Sequence, residues 1–149
     1  MTPTTGPSGA LVDEQIERIV RARASAFVTV PLAVLSAPAL AAGLRARGWF
    51  VATLDRAPVV DKPTLMHALY QSGRYPAGFG FNWDALADAL RDLEWLEPAT
   101  GVAFIWHDPD VLEARSPEAY ATLREIVDDA HSERVARGHA PLRFVLPAR

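Results

Sequence analysis

The 149-residue sequence contains no cysteine. Disulfides, thiolate nucleophiles and thiolate metal ligands are therefore excluded, and the composition suits a reducing compartment. A long uninterrupted apolar run is also missing. The longest stretch, Ala26 to Leu44, is broken by Thr29, Pro31, Ser36 and Pro38, too often for a membrane-spanning helix. The opening MTPTTGPSGALVDEQ has no basic region followed by an apolar one, so it does not read as a secretory signal. The phosphate loop and the GxGxxG, HExxH and GxSxG motifs are absent as well. Gly78-Phe79-Gly80 is a bare GxG with no strand before it. These absences lead to the expectation of a cytoplasmic protein without membrane contact.

Half of the residues are hydrophobic, which suits a globular chain long enough for one domain with a real core. Residues 1–10 are rich in Thr, Pro, Gly and Ser and read as a flexible tail; residues 11–149 read as a single domain. The net charge of −3 conceals an asymmetry. Residues 1–60 hold six Arg against four acids, whereas residues 81–134 hold thirteen acids against four Arg. An acidic half repels phosphate, so nucleic acid is not the expected partner. It attracts a basic protein, although acids also simply solubilise a surface.

Strand and helix patterns alternate. Asp13–Ala24 places Ile16, Ile19 and Val20 on one side, with acids first and arginines last, as a helix dipole prefers. Ser25–Pro31 is a short β-branched strand that Pro31 confines to an edge. Ser36 reads as the N-cap of a helix that stops at Gly48, and Trp49–Asp55 as the strand closing a βαβ crossover. Asp61 caps a helix with Leu65, Met66, Ala68 and Leu69 on its apolar stripe and Gly73 at its stop. Val102–Trp106 is a continuous apolar run suited to a strand buried on both faces. Val111–Arg115 reads as a short helix and Ser116–Arg137 as a long one, with Ala119, Leu123, Ile126, Val127 and Ala130 inward. Leu142–Leu146 closes the chain as a strand. The alternation predicts an α/β fold on a small parallel sheet.

The stretch YPAGFGFNWDALADALRDLEW, Tyr75–Trp95, carries the most information. An aromatic, Gly- and Pro-rich loop leads into a helix for which Asn82 is the N-cap. Asp84, Asp88 and Asp92 recur every four residues and line one face, while Leu86, Leu90 and Leu93 line the other. Like charges at this spacing slightly destabilise a helix, and Phe79, Phe81 and Trp83 look exposed beside them. Two other readings stay open. The acids form a solvated face, or Asp84 and Asp88 serve as paired carboxylates for acid/base work or Mg²⁺. His107 with Asp108 and Asp110 would make a poor metal site and reads better as a turn in which Asp accepts backbone N–H bonds. His67 reads as structural or exposed, and His131 and His139 as surface residues.

Phe79-Gly80-Phe81-Asn82-Trp83-Asp84-Ala85-Leu86, followed by Asp88, resembles the signature of the barstar-like ribonuclease inhibitors. The order of strands and helices around it is similar, and the resemblance covers about residues 47–147. It implies a barstar-like sheet of three parallel strands, to which the N-terminal extension adds one more. It implies a non-enzymatic, immunity-type inhibitor with no catalytic residues, no metal and no cofactor, whose partner is a basic ribonuclease or nuclease toxin. Asp88 would enter the phosphate site of the partner, with Asp84 and Asp92 on the same helix and Asp129 as a further acidic contact. Phe79, Gly80 and Asn82 would form the contact loop. The family's type member has Tyr at the position of Gly78, Trp at Ala87 and an acid at Phe81. The alternative is a barstar-like module for a basic partner that is not a nuclease.

Overall fold

The computed structural model describes residues 8–96 and 98–148. The elements are α1 (Gly9–Arg21), β1 (Phe27–Val30), α2 (Leu32–Leu35), α3 (Pro38–Ala46), β2 (Trp49–Thr53), α4 (Lys62–Ser72), α5 (Trp83–Asp92), β3 (Gly101–Ile105), α6 (Pro109–Arg115), α7 (Pro117–Ala136) and β4 (Leu142–Pro147). The four strands form one parallel sheet in the order β1-β4-β3-β2. The expected α/β fold, with an added N-terminal strand, is what the chain adopts. Pro31 ends β1 at the sheet's edge, where a residue without an N–H does least harm.

Period-2 alternation divides the core into two layers. In the front layer Val102, Phe104, Leu142, Phe144 and Leu146 face α4, α5, α6 and α7. Val28, Val30, Val51, Ala103, Ile105 and Val145 face the other way and are covered by α1, α2 and α3. The central strands β3 and β4 are buried on both faces; β3 is the unbroken apolar run such burial favours, whereas β4 carries Arg143 within it. Two glycines make the back layer possible. A Cβ on Gly43 would lie 2.2 Å from Ile16 Cδ1, so the Ile16 side chain of α1 packs directly on the backbone of α3 there. Gly48 has φ +84° and turns the chain from α3 into β2.

Several local readings are corrected. The first helix starts at Gly9, because the Ser8 hydroxyl accepts from Leu11 N at 3.2 Å; residues 8–10 therefore belong to its start. Residues 1–7 of the expected tail, and Glu97 of the expected turn before β3, lie outside the described residues. Ser36 is not an N-cap. Leu32–Leu35 wind into a single turn that buries Val34 and Leu35, Ser36 closes that turn, and Ala37 precedes α3 with no side-chain cap. Asp61 does cap α4, in a reciprocal box with Thr64 whose N–H holds the carboxyl below the usual carboxylate value.

His131 is also not a surface residue: it is buried on α7 beside Arg143 of β4. Arg143 Nε donates to Ile19 O at 2.7 Å, and its other nitrogens donate to Leu142 O and Ala22 O. A buried guanidinium thus meets the free carbonyls at the end of α1. Burial lowers its pKa to about 10, so it stays charged at neutral pH. His131 Nε2 lies 3.3 Å from Arg23 O, and burial lowers its pKa below 6.5.

Candidate functional site

Helix α5 is fixed at both ends. Asn82 Oδ1 accepts from Ala85 N at 2.8 Å, which satisfies one of the free N–H groups of the first turn. At the other end Leu93 takes the left-handed conformation (φ 49°), a common way to stop a helix. Arg134, buried on α7, then donates from Nη1 to Arg91 O at 3.0 Å and Asp92 O at 2.8 Å. The sequence reading missed this residue. A lone Arg near the end of a long helix looks like a solvated cation, and no local pattern points to a partner more than forty residues away.

The two sides of α5 follow the 3.6-residue period. Leu86 and Leu90 are buried in the front core and Leu93 follows them. Asp84, Asp88 and Asp92 are exposed. Asp88 is not free: Arg91 Nη2 donates to its Oδ1, and Arg91 Nε lies 3.5 Å from Glu133 Oε2 on α7. The Asp88 side chain keeps 75% of its surface in solvent. An exposed pair of this kind contributes about 0–1 kcal/mol, so a stronger cation displaces it at little cost. Asp129 is exposed on α7 one turn before Glu133. Its neighbour Asp128 is committed elsewhere, accepting from Ser25 Oγ at 2.9 Å and Ala26 N at 3.1 Å.

The loop before α5 is built on aromatic contacts. Tyr75 is buried, and burial raises its phenol pKa. Its ring meets Phe79 edge-on at 4.9 Å and Trp95 at 5.1 Å. Phe79 N closes a turn onto Pro76 O. Gly80 sits against the cap, its missing Cβ 3.0 Å from Asn82 Nδ2. Of the three aromatics expected at the surface, Phe81 is exposed, whereas Phe79 and Trp83 are half-buried against the front core. Gly78 has open space where a Cβ would stand.

The histidine-containing turn after β3 works differently from the expectation. Asp55, two residues beyond the end of β2, accepts from His107 N at 2.9 Å and Asp108 N at 2.8 Å, so the accepting carboxylate comes from the loop that follows the neighbouring strand. His107 Nδ1 lies 3.6 Å from Asp55 Oδ1. Among the described residues no three His, Asp or Glu side chains are grouped to hold a metal ion, and no helix is long and apolar enough to cross a membrane. A cleft of about 830 Å³ between the end of β2 and α4 is lined by Thr53, Arg56, His67 and Gln71, among others, and by none of the helix acids.

The fold and this surface define a parallel α/β protein that presents a doubly capped, acid-bearing helix behind an aromatic loop. Residues 49–146 match the family Barstar (barnase inhibitor), and the chain belongs to that family. The match begins at β2, so β1 and the back-layer helices lie outside it. No curated protein matches the chain.

Proposed function

We propose that this protein inhibits a basic microbial ribonuclease by inserting α5 and its preceding loop into the active site, as the immunity partner of a nuclease toxin. The observation that carries the reading is the set of three exposed acids on a helix held at both ends, in a chain of the barnase-inhibitor family. A ribonuclease site is built to hold phosphate, so it is a concentrated positive pocket. A carboxylate on a fixed helix imitates the phosphate and makes charge-assisted bonds there without offering a bond to cleave. Asp88 has this central role, with Asp84 and Asp92 beside it, and it exchanges Arg91 for the cations of the partner. Phe79, Gly80 and Asn82 supply the loop contact and Asp129 an outlying one. The acidic segment 81–134 raises the association rate by steering. No chemistry is performed, so no catalytic residue or cofactor is needed.

The test is inhibition of RNA cleavage, with binding calorimetry, against a panel of small basic ribonucleases that includes barnase and any ribonuclease encoded beside this gene. The expected result is stoichiometric inhibition that Asp88→Ala weakens and rising salt slows. Absence of binding to every member of the panel would overturn it. A second reading, a barstar-like module for another basic protein, is favoured by the open space at Gly78. Recovery of a non-nuclease partner that Asp88→Ala releases would select it.

A further inference from the structure

Three non-glycine residues have positive φ among the described residues: Arg74, Phe81 and Leu93. Arg74 and Leu93 lie where α4 and α5 end, the usual place for a left-handed residue. Phe81 lies at the opposite kind of position, one residue before the N-cap of α5, with φ 53°. A bulky side chain is rare in this region and persists only where its surroundings impose it. The usual compensation would be burial of the ring, yet Phe81 is 43% exposed. Its ring rests on other rings instead, 5.0 Å from Tyr70, 5.0 Å from Phe79 and 6.4 Å from a nearly parallel His67. The positive φ thus accompanies a large aromatic held outward on a bed of half-buried and exposed rings. Rigid aromatics lose little side-chain freedom on binding, which is why they serve as anchors.

The position joins this feature to the acidic helix. Phe81 and Asp84 are three residues apart, at most roughly 11 Å along the chain. A partner of ordinary interface size, roughly 800 Å² on each side, that covers Asp84 and Asp88 also covers Phe81. We propose that Phe81 is the specificity anchor of this face, beside the open surface at Gly78. It selects a basic ribonuclease whose cationic pocket is rimmed by an apolar or guanidinium-bearing surface able to stack on the ring. This rests on the inhibitor reading above.

Phe81→Gly, Phe81→Ala and Phe81→Tyr test it against the same ribonuclease panel, with melting temperature and amide exchange at Ala85 measured alongside. Phe81→Gly should melt above Phe81→Ala, reversing the usual order, because only glycine is at ease at this φ. Both should bind about 30-fold or more weakly, as a hot spot does, while Phe81→Tyr stays near wild type. Ala85 N–H should remain protected in all three variants. Wild-type-like binding by Phe81→Gly and Phe81→Ala, with Asp88→Ala impaired, overturns the anchor and leaves the inhibitor reading standing. Loss of Ala85 protection together with binding also overturns it, since Phe81 would then act by shaping the loop. If the wild-type chain binds no ribonuclease, both readings fall.

Discussion

The last turns of α1 and α5 both rest on a buried arginine, yet the two helices are used in opposite senses. Arg143 of β4 reaches Ile19 O and Ala22 O; Arg134 of α7 reaches Arg91 O and Asp92 O. In each case the guanidinium meets carbonyls that a helix cannot satisfy for itself, where the helix dipole is negative. Helix α1 turns Val12, Ile16 and Ile19 inward and forms part of the cover over the back of the sheet. Helix α5 buries only leucines and leaves its acids in solvent. The same device therefore secures scaffold on one side and aims a surface on the other. A buried arginine is not by itself evidence of function; what its helix exposes decides that.

Five substitutions, one of them read in a pH series, bear on this contrast. Asp88→Ala alters what α5 exposes and spares both arginines. It should weaken ribonuclease binding by about 2–5 kcal/mol, a general range for truncated interfacial charges to which the barnase–barstar pair itself contributes. Calorimetry reads this loss, and the melting temperature should barely move. Arg143→Ala should lower unfolding stability by about 3 kcal/mol, because it leaves carbonyls of α1 unbonded. The surviving folded protein should bind as before, and a matching loss of affinity would erase the distinction between the two ends. Arg134→Ala should cost about 2–3 kcal/mol in denaturant melts and also several-fold in affinity, since the end of α5 loosens. Unchanged affinity would show that the arginine serves the scaffold alone.

The pH series concerns the side of Arg143. His131 faces Arg143, Arg134 and Asp128, and its folded pKa lies below the unfolded value. The unfolded chain therefore binds the proton more readily, and stability falls as pH drops below about 6.5. Thermal melts between pH 7 and 5.5 should display this loss, and His131→Asn should flatten it. The smallest effect is expected from Gly78→Tyr. The site is open and its φ is not positive, so stability should change by less than about 0.5 kcal/mol. A gain in affinity would mean that this face accepts a second aromatic anchor.

Much of this was legible locally. Asn82 and Asp61 announce their helices because a cap and its N–H partners lie within three residues. The run of β3 announces burial on both faces, and the Gly–x–Asn–x–Asp–Ala–Leu stretch pointed to the family that the match over 49–146 supplies. What escaped was non-local. Asp55 reaches across 52 residues to His107, and Arg143 across 124 to Ile19. Such partners are chosen by topology, and topology here runs from one end of the chain to the other. Ser36 was misread for a related reason: its composition suits a cap, but burial of Val34 and Leu35 had already wound the chain before it. Phe81 looked exposed from sequence, yet its backbone strain has no sequence signature outside glycine and asparagine.

The pairing of β1 with β4 sets a schedule as well as a shape. Phe27 finds its register against Phe144, and Val30 against Pro147. During synthesis the first strand has no partner strand until β4 has left the ribosome. Helix α1 shares this dependence in part, because Arg143 and Val145, which it meets, belong to β4. Closure of so long a loop is slow compared with local helix formation. The pairing of β1 therefore depends on β4, whereas α3 already has β2 to pack against.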